Sequence, residues 1–181
     1  MNLNYKKKYQ QLPSIIRKNL NKVKLLVFDF DGTFTDNSVY TDASGNEYLM
    51  CSKTDSMGLN YLSKYTKVVP IILSKERNQN VQARAKKLNI EVYLAVDEKK
   101  IAIEKICKKY AVSLEEIAYI GNDYNDIPVF ELLKMTFCVQ DGIGISIDKA
   151  TVRLNCNGGK GAVREVIEYI LLAKNVHPYY L

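Results

Sequence analysis

The chain is poor in the residues on which many catalytic sites and covalent cross-links depend. It contains one histidine, His177, so a Ser-His-Asp or Cys-His site would rest on that residue alone, and we interpret it as a surface side chain. The four cysteines, Cys51, Cys107, Cys138 and Cys156, form no CxxC pair. That spacing argues against a zinc or redox motif and favours reduced thiols in a cytoplasmic protein.

Long apolar runs and a recognisable nucleic-acid motif are absent as well. No run approaches the roughly 18–20 apolar residues that span a bilayer. The Lys-rich segment 1–22 also lacks the continuous apolar core of a secretory signal, so we expect none. The net charge is +6, but the lysines are scattered along the chain. We therefore expect neither a membrane nor a nucleic acid as partner, and an anionic small substrate explains the positive charge equally well.

Short apolar runs alternate with amphipathic segments along the chain. The apolar runs predict five strands, at residues 23–28, 67–74, 91–96, 115–121 and 136–140. Helical spacing predicts helices at residues 12–21, 56–65, 78–90, 98–112, 125–135 and 158–174. Such alternation is typical of an α/β fold with a Rossmann-like parallel sheet flanked by helices. We assign this single domain to residues 22–181 and a basic N-terminal arm to residues 1–21.

Two segments carry more local predictions. Residues 38–51 follow the first strand and predict a β-hairpin with its turn at "DASGN". In the helix predicted at residues 98–112, we expect Ile101, Ile103, Ile106 and Cys107 to face the core.

Polar and charged residues follow four of the predicted strands, at the edge of the sheet where ligands bind. They are Asp29 and Asp31 after the first strand, Ser74 after the second, Lys100 after the third, and Asn122, Asp123 and Asp126 after the fourth. Each residue type is also common in turns and helix caps. Clustered carboxylates are tolerated when a divalent cation lies among them, and Mg²⁺ prefers such oxygen ligands. One carboxylate can serve as nucleophile and a second as general acid and base, so the set indicates phosphoryl transfer.

These residues resemble the motifs of the haloacid dehalogenase superfamily of phosphatases. "DFDGT", "VVPIILS", "EKKIAI" and "YIGNDYNDIP" match its four motifs in the right order. The hairpin, "SKTDSMGL" and "GGKGAVREVIEYILLAK" look like the KDO-8-phosphate phosphatase branch. That branch includes acylneuraminate and KDN 9-phosphate phosphatases and domains fused to CMP-sialate synthetases. "SKER" and "TDSMG" look more like the nonulosonate 9-phosphate members.

The resemblance implies a role for each residue of the set. Asp29 would be the nucleophile and a metal ligand, and Asp31 the acid/base whose backbone carbonyl faces the metal. Ser74 and Lys100 would bind the phosphoryl group. The metal ligands implied in addition are Asn122, Asp123 and Asp126, and the substrate-binding residues are Thr33, Asp55, Glu76, Lys160 and Arg164.

Alternatives remain open for several of these roles. A helix cap and a solvated charge are equally good interpretations of Asp55 and Glu76. Simple packing of the loop and helix on the sheet is an equal alternative for the C-terminal segment with Lys160 and Arg164. Many family members have "GDD" where this chain has "GND". An amide oxygen brings no charge to Mg²⁺, so either Asn122 ligates weakly or Asp123 replaces it.

The function implied is a Mg²⁺-dependent phosphatase that hydrolyses a phosphorylated 2-keto sugar acid through an aspartyl-phosphate. An acylneuraminate or KDN 9-phosphate is the first choice of substrate, and KDO 8-phosphate is the alternative. A non-catalytic oligomerisation domain, as in the fused synthetase relatives, is the alternative of another class. The segments between the motifs leave no room for a cap domain, so something else must exclude water from the site. The branch is known for tetramers in which a neighbour contributes to the pocket, and we therefore expect a homotetramer.

Overall fold

A six-stranded parallel sheet forms the centre of the computed structural model, which describes residues 4–179. Its strands are β1 (Leu25–Phe28), β4 (Val69–Leu73), β5 (Glu91–Tyr93), β6 (Ile117–Gly121), β7 (Met135–Cys138) and β8 (Val152–Arg153), and a separate hairpin contains β2 (Tyr40–Thr41) and β3 (Glu47–Tyr48). Across the sheet the order is β5-β4-β1-β6-β7-β8. All five predicted strands are confirmed. The edge strand β8 was not predicted, because two residues are too few to give a pattern in the sequence. Two residue pairs join it to β7.

Strand β1 lies where the strand order reverses. It pairs with β4 on one side and β6 on the other, so that Phe28 has both Ile72 and Ile120 as neighbours. All four residues of β1 are buried. Because the chain runs outward from β1 in both directions, a crevice opens beyond the carboxyl ends of β1 and β6. Open α/β sheets bind their ligands in such a crevice.

Helices cover both faces of the sheet. They are α1 (Tyr5–Gln11), α2 (Ser14–Lys22), α3 (Lys53–Tyr65), α4 (Gln79–Leu88), α5 (Lys99–Tyr110), α6 (Ile127–Leu132), α7 (Gly144–Lys149) and α8 (Ala162–Ala173). One apolar cluster joins Leu26 and Phe28 to helices α2, α3, α4 and α8. A second joins Leu25 and Val27 to helices α5 and α6. Burial on both faces explains why the central strands β1 and β6 are continuous apolar runs rather than alternating ones.

The N-terminal segment belongs to the same core as the sheet. Its helix α2 was predicted at residues 12–21, whereas α1 was not predicted. Ile16 and Leu20 of α2 are buried in the cluster that contains the sheet residues. Residues 4–22 therefore pack on the domain assigned to residues 22–181, and residues 1–3 of the predicted arm lie outside the described part.

Two further expectations about single side chains were wrong. His177, interpreted as a surface residue, is 5% exposed and its Nε2 contacts Glu168 Oε2. The ring is buried because the segment after α8 turns back against that helix. Ile101, expected in the core, is 42% exposed. Ile103 and Ile106 do face the core, and Lys99, at the start of α5, takes the inward position instead.

The hairpin after β1 is present and lies at the surface. Tyr40 and Tyr48 form one of its two residue pairs, and both side chains are more than half exposed. Asn80 Nδ2 on α4 donates to the backbone oxygen of Glu47, which ties the hairpin to the sheet domain. Among residues 4–179, no helix is both long and apolar enough to cross a membrane.

The packing of α2 predicts how strongly the N-terminal segment supports the fold. Leu20 is fully buried, so Leu20→Ala should lower the free energy of unfolding by about 2–5 kcal/mol. Ile15, on the same helix, is 58% exposed, and Ile15→Ala should change the stability by less than about 0.5 kcal/mol. Urea unfolding of the two variants provides the comparison. Equal stability of the Leu20→Ala variant and the parent would mean that the segment is a detached arm.

Candidate active site

Asp29 lies directly after β1, at the centre of the crevice. Its backbone nitrogen still bonds to the Ile120 carbonyl of β6, so the strand pairing fixes its position. The side chain is almost completely buried, and Oδ1 lies 2.8 Å from Lys99 Nζ. Burial, together with the negative charge of Asp126, raises the pKa of Asp29 to about 7, and Lys99 opposes that rise. A cation beside Asp29 would favour its ionised form further.

Lys99, not Lys100, is the lysine of the site. Lys99 is 3% exposed at the first residue of α5, and its Nζ also lies 2.7 Å from Asp126 Oδ1. Lys100 is exposed. Successive helical residues point about 100° apart, so only one of two adjacent lysines can face the sheet. The spacing to Ile103 and Ile106, four and seven residues on, identifies Lys99 as the inward one.

Asp126 holds Lys99 and does not face the crevice. Its Oδ1 accepts hydrogen bonds from Lys99 Nζ and from Tyr119 Oη at 2.7 and 2.6 Å. Its Oδ2 accepts from the backbone nitrogens of Asn122 and Asp123 at 2.7 and 3.1 Å. Both oxygens are therefore saturated by protein donors, and the prediction of Asp126 as a metal ligand was wrong.

Asp123 also has a hydrogen-bond partner within the protein. Its Oδ1 accepts a 2.5 Å hydrogen bond from the backbone nitrogen of Tyr124 and caps the short turn that precedes α6. This local bond gives the carboxylate a structural role, so the alternative in which Asp123 replaces Asn122 as ligand loses its support. Within residues 4–179, no three His, Cys, Asp or Glu side chains are grouped so that they could hold a metal.

A smaller set of oxygens nevertheless fits a divalent cation. The end of the Asn122 amide lies 2.9 Å from the Asp31 carbonyl oxygen and 3.3 Å from Asp29 Oδ2. Neighbouring ligands of an octahedral Mg²⁺ with bonds of about 2.1 Å are about 3 Å apart, which is close to these separations. With the amide oxygen turned inward, it lies close to two other oxygens, and a cation beside them would offset their repulsion. With the nitrogen turned inward, Asn122 donates to both oxygens and no cation is needed.

Gly32 gives Asn122 the room to take this position. A Cβ atom at Gly32 would lie 2.6 Å from the Asn122 Cγ, and the backbone of Gly32 has a φ of +73°. Both observations require glycine in the "DFDGT" segment.

Asp31 is half-buried near the mouth of the crevice. Its pKa is raised, first by burial and then by the negative charge of Glu76, while Lys99 lowers it. A raised pKa favours a carboxyl group that can hold a proton and release it, as a general acid must. Glu76 is itself exposed, in the loop after β4.

Ser74, directly after β4, and Thr33, two residues after Asp31, are both buried. Ser74 Oγ accepts from the backbone nitrogen of Glu76 at 3.1 Å, which leaves its own proton for another acceptor. Thr33 Oγ1 has no hydrogen-bond partner within the described residues.

Two residues predicted to bind substrate have structural roles instead. Asp55 is 1% exposed, and its Oδ1 accepts from the backbone nitrogen of Arg164 at 2.7 Å, so it caps α8 from a neighbouring helix. Burial raises the pKa of Asp55 to about 6. The Arg164 guanidinium pairs with Glu168 and lies 4.9 Å from the centre of the Tyr61 ring. These contacts give both side chains a role in packing helix α8, although Asp55 Oδ2 has no hydrogen-bond partner among the described residues.

The loop before α8 supports the first-motif segment. A Cβ atom at Gly158 would lie 1.9 Å from the Gly32 carbonyl oxygen, and Gly159 N donates to the Thr33 carbonyl at 3.0 Å. The glycines allow close packing of two backbones. Lys160 lies at the surface of this contact, 3.4 Å from Asp36.

The six-stranded parallel sheet, the aspartate pair after β1 and the buried lysine that faces it define a hydrolase of the haloacid dehalogenase type. The chain belongs to that family, because the model of the haloacid dehalogenase-like hydrolases matches residues 59–167.

Full-length relatives extend the likeness to the first motif. The curated 3-deoxy-D-manno-octulosonate 8-phosphate phosphatase of Salmonella typhimurium is 30% identical over 90% of this chain and 86% of its own length. The cobalt-bound deoxy-D-mannose-octulosonate 8-phosphate phosphatase of Haemophilus influenzae has a TM-score of 0.82 and 30% identity, covering 87% of this chain and 92% of that one. The Moraxella catarrhalis phosphatase, solved with magnesium, phosphate and KDO, has a TM-score of 0.86 and 28% identity, covering 91% and 94%.

These findings establish the class of activity. The chain is a phosphoric monoester hydrolase of the haloacid dehalogenase family. Phosphatases of this family use a divalent metal, and two of the similar structures contain one.

The two orientations of the Asn122 amide lead to a prediction for Asn122→Asp. Without metal, the new carboxylate would face Asp29 and the Asp31 carbonyl with no donor, so stability should fall by about 1–3 kcal/mol. With metal, the added charge should lower the Kd for Mg²⁺ by about tenfold. Urea unfolding in chelator and calorimetric titration with Mg²⁺ measure the two effects.

Asn60→Asp is the matched control for the added charge. Asn60 is exposed on α3, so this variant should leave both quantities within about 0.5 kcal/mol of the parent. Unchanged metal-free stability together with an unchanged Mg²⁺ titration for Asn122→Asp would refute the assignment of Asn122 to the metal site.

Proposed function

We propose that this protein removes phosphate from a phosphorylated 2-keto sugar acid, with KDO 8-phosphate as the substrate. The observation that carries the proposal is the buried pair of Asp29 and Lys99 at the carboxyl end of the central strand. The choice of substrate rests on the relatives, which are similar over about nine-tenths of the chain and are KDO-8-phosphate phosphatases. The acylneuraminate or KDN 9-phosphate, first choice from the short stretches "SKER" and "TDSMG", becomes the second candidate.

The proposed reaction has two steps, both on Asp29. A carboxylate oxygen of Asp29 attacks phosphorus, the ester bond to the sugar breaks, and the Asp31 carboxyl gives its proton to the leaving oxygen. The Asp31 carboxylate then accepts a proton from water as the water oxygen attacks phosphorus and releases Asp29. The position of Asp31, half-buried with a raised pKa, supports its use as the acid in the first step.

Lys99 supplies the fixed positive charge of the site. An ammonium has three N–H groups, and in the described part of the chain Nζ pairs with Asp29 Oδ1 and Asp126 Oδ1. The remaining N–H is suited to a phosphoryl oxygen. Ser74, whose hydroxyl proton is not used by the Glu76 backbone, is suited to a second one. Positioning and charge stabilisation of this kind provide most of the catalysis in phosphoryl transfer.

We assign Mg²⁺ as the metal. Asp29, the Asp31 carbonyl and the Asn122 amide oxygen would hold it, and their separations support that assignment. When bound, it would neutralise negative charge on the phosphoryl group. Glu76 and Lys160 remain candidates for contacts with the sugar acid at the exposed rim.

We further propose that the site is completed in a homotetramer. The segments after β1 and after β5 contain no cap, and the hairpin exposes Val39, Tyr40 and Tyr48, each more than half accessible. A two-stranded hairpin alone is marginally stable in water. Packing hairpins together would bury these side chains and bring a neighbour close to the crevice. A cytoplasmic location, inferred from unpaired cysteines, is part of the same proposal.

The proposed substrate is tested by phosphate release from a panel of sugar-acid phosphates with and without Mg²⁺. KDO 8-phosphate should give the highest kcat/KM, followed by acylneuraminate and KDN 9-phosphates. Asp29→Asn should remove turnover because an amide cannot attack phosphorus, and Asp31→Asn should slow it by about 10²–10⁴-fold. A higher kcat/KM for a 9-phosphate would move the assignment to that substrate, and no release from any member would leave the non-catalytic alternative.

The adjacent residues Lys99 and Lys100 allow a matched test of the positive charge beside Asp29. Lys99→Met should reduce kcat by at least about 10²-fold, because it removes the ammonium beside Asp29. Lys100→Met, on the exposed side of the same turn, should keep kcat within about twofold. Steady-state kinetics of both variants, with circular dichroism as a check on folding, decide between them. A larger loss in the Lys100 variant would reinstate the lysine expected from the motif.

The hairpin allows a test of assembly. Val39→Lys should give smaller species with at least about tenfold lower activity, because a charge on a buried contact is costly. Ile15→Lys places the same charge on an exposed apolar position of α2 and should leave both properties unchanged. Light scattering coupled to size exclusion, followed by assay of each fraction, provides the measurement. A fully active monomer would contradict the requirement for a neighbour.

A further inference from the structure

We propose that Tyr119 is a positioning residue of the phosphoryl-transfer site. Its phenol shares one oxygen of Asp126 with Lys99 and so keeps the Lys99 ammonium directed at Asp29. This inference rests on the proposed function, because it concerns how the nucleophile and its lysine are held during turnover.

Tyr119 reaches the site from within the sheet. It lies on β6, its side chain is fully buried, and its Oη donates to Asp126 Oδ1 at 2.6 Å. Lys99 Nζ donates to the same oxygen at 2.7 Å. The ring is fixed by an edge-on contact with Phe130, whose centroid is 6.0 Å away. The hydroxyl is therefore held in place by the strand and by packing.

The remaining contacts of Asp126 show what the phenol adds. Backbone nitrogens of Asn122 and Asp123 occupy Oδ2, and a Cβ atom at Gly121 would lie 2.3 Å from the carboxyl carbon of Asp126. The carboxylate thus lies close against the backbone and cannot move to follow Lys99. Among the described residues, side-chain donors contact Oδ1 and not Oδ2, and these donors are Tyr119 and Lys99.

Charge explains why this division matters for Asp29. Two buried carboxylates share one ammonium, since Lys99 Nζ lies 2.8 Å from Asp29 and 2.7 Å from Asp126. The Tyr119 hydroxyl is a neutral donor. Its hydrogen bond stabilises the buried Asp126 carboxylate without adding a charge to the site. Without that donor, Asp126 would be an under-satisfied buried carboxylate, and the ammonium would be drawn toward it and away from Asp29.

Tyr119→Phe tests the proposal, and Tyr169→Phe is its matched control. Tyr169 is also buried and also donates to a buried carboxylate, Glu165 Oε1, at 2.5 Å. Glu165 retains donors from Asn155 and Cys156 in that variant. Both variants lose a hydroxyl from a buried tyrosine, so both should lose similar amounts of thermal stability. Only Tyr119 is connected to Lys99.

The expected result is a split between kinetic constants. With KDO 8-phosphate as substrate, Tyr119→Phe should lower kcat by about tenfold and leave KM within about twofold, whereas Tyr169→Phe should leave both within about twofold. Equal kcat values for the parent and Tyr119→Phe, or equal kcat losses in the two variants, would overturn the proposal. If the parent itself turned over no phosphate ester, the proposed function would fail, and the positioning role with it.

A second measurement tests the proposal if the Tyr119→Phe variant does not fold. Fluorinated tyrosines at position 119 keep the ring and its hydroxyl but strengthen the donor stepwise. Along this series kcat should rise while KM is constant, because a stronger Tyr119 hydrogen bond to Asp126 frees the Lys99 ammonium to interact more strongly with Asp29. A kcat that stays at the parent value or falls along the series would refute the positioning role.

Discussion

The site depends on one buried ammonium that lies between two carboxylates. Lys99 contacts Asp29, which comes from β1, and Asp126, which follows β6. The desolvation of three charged groups is tolerable only because each has close partners of opposite charge or hydrogen-bond donors. The parallel sheet provides this arrangement, since β1 and β6 are neighbours and end at the same edge. When Asp29 is ionised, a net negative charge remains among the three groups, and it favours binding of a divalent cation beside Asp29.

Much of the fold could be predicted because its signals are local. The strands of the sheet interior, such as β1 and β6, are continuous apolar runs, and four of the five predicted strands are followed by polar or charged residues suited to phosphoryl transfer. The strand β8 was missed because two residues give no periodic signal. The sequence also contained enough information to identify Lys99 as the buried lysine. Lys99 is in phase with Ile103 and Ile106, whereas the motif comparison favoured Lys100.

Contacts between distant segments account for the remaining errors. Asp55 caps α8 by accepting a hydrogen bond from the backbone nitrogen of Arg164, which lies 109 positions further along the chain. No local pattern around Asp55 indicates that partner. Asp126 was correctly placed near the site, but its four donors come from the lysine, a strand tyrosine and two backbone groups. His177 was predicted to lie at the surface. Its partner, Glu168, lies on α8, and the two side chains meet only once the segment after α8 has folded back against that helix. Each role depends on packing that single-sequence patterns do not contain.

The contact between the glycine loop and the first-motif segment has a consequence for biosynthesis. Gly159 bonds to the Thr33 carbonyl, and Gly158 packs against Gly32, so the segment after the first strand is supported by residues made more than a hundred positions later. A chain emerging from the ribosome carries its nucleophile early but cannot fix it until the C-terminal loop and helix have been synthesised. Such late, non-local closure slows folding. It also means that chains truncated before residue 158 lack the support that holds the catalytic segment in place.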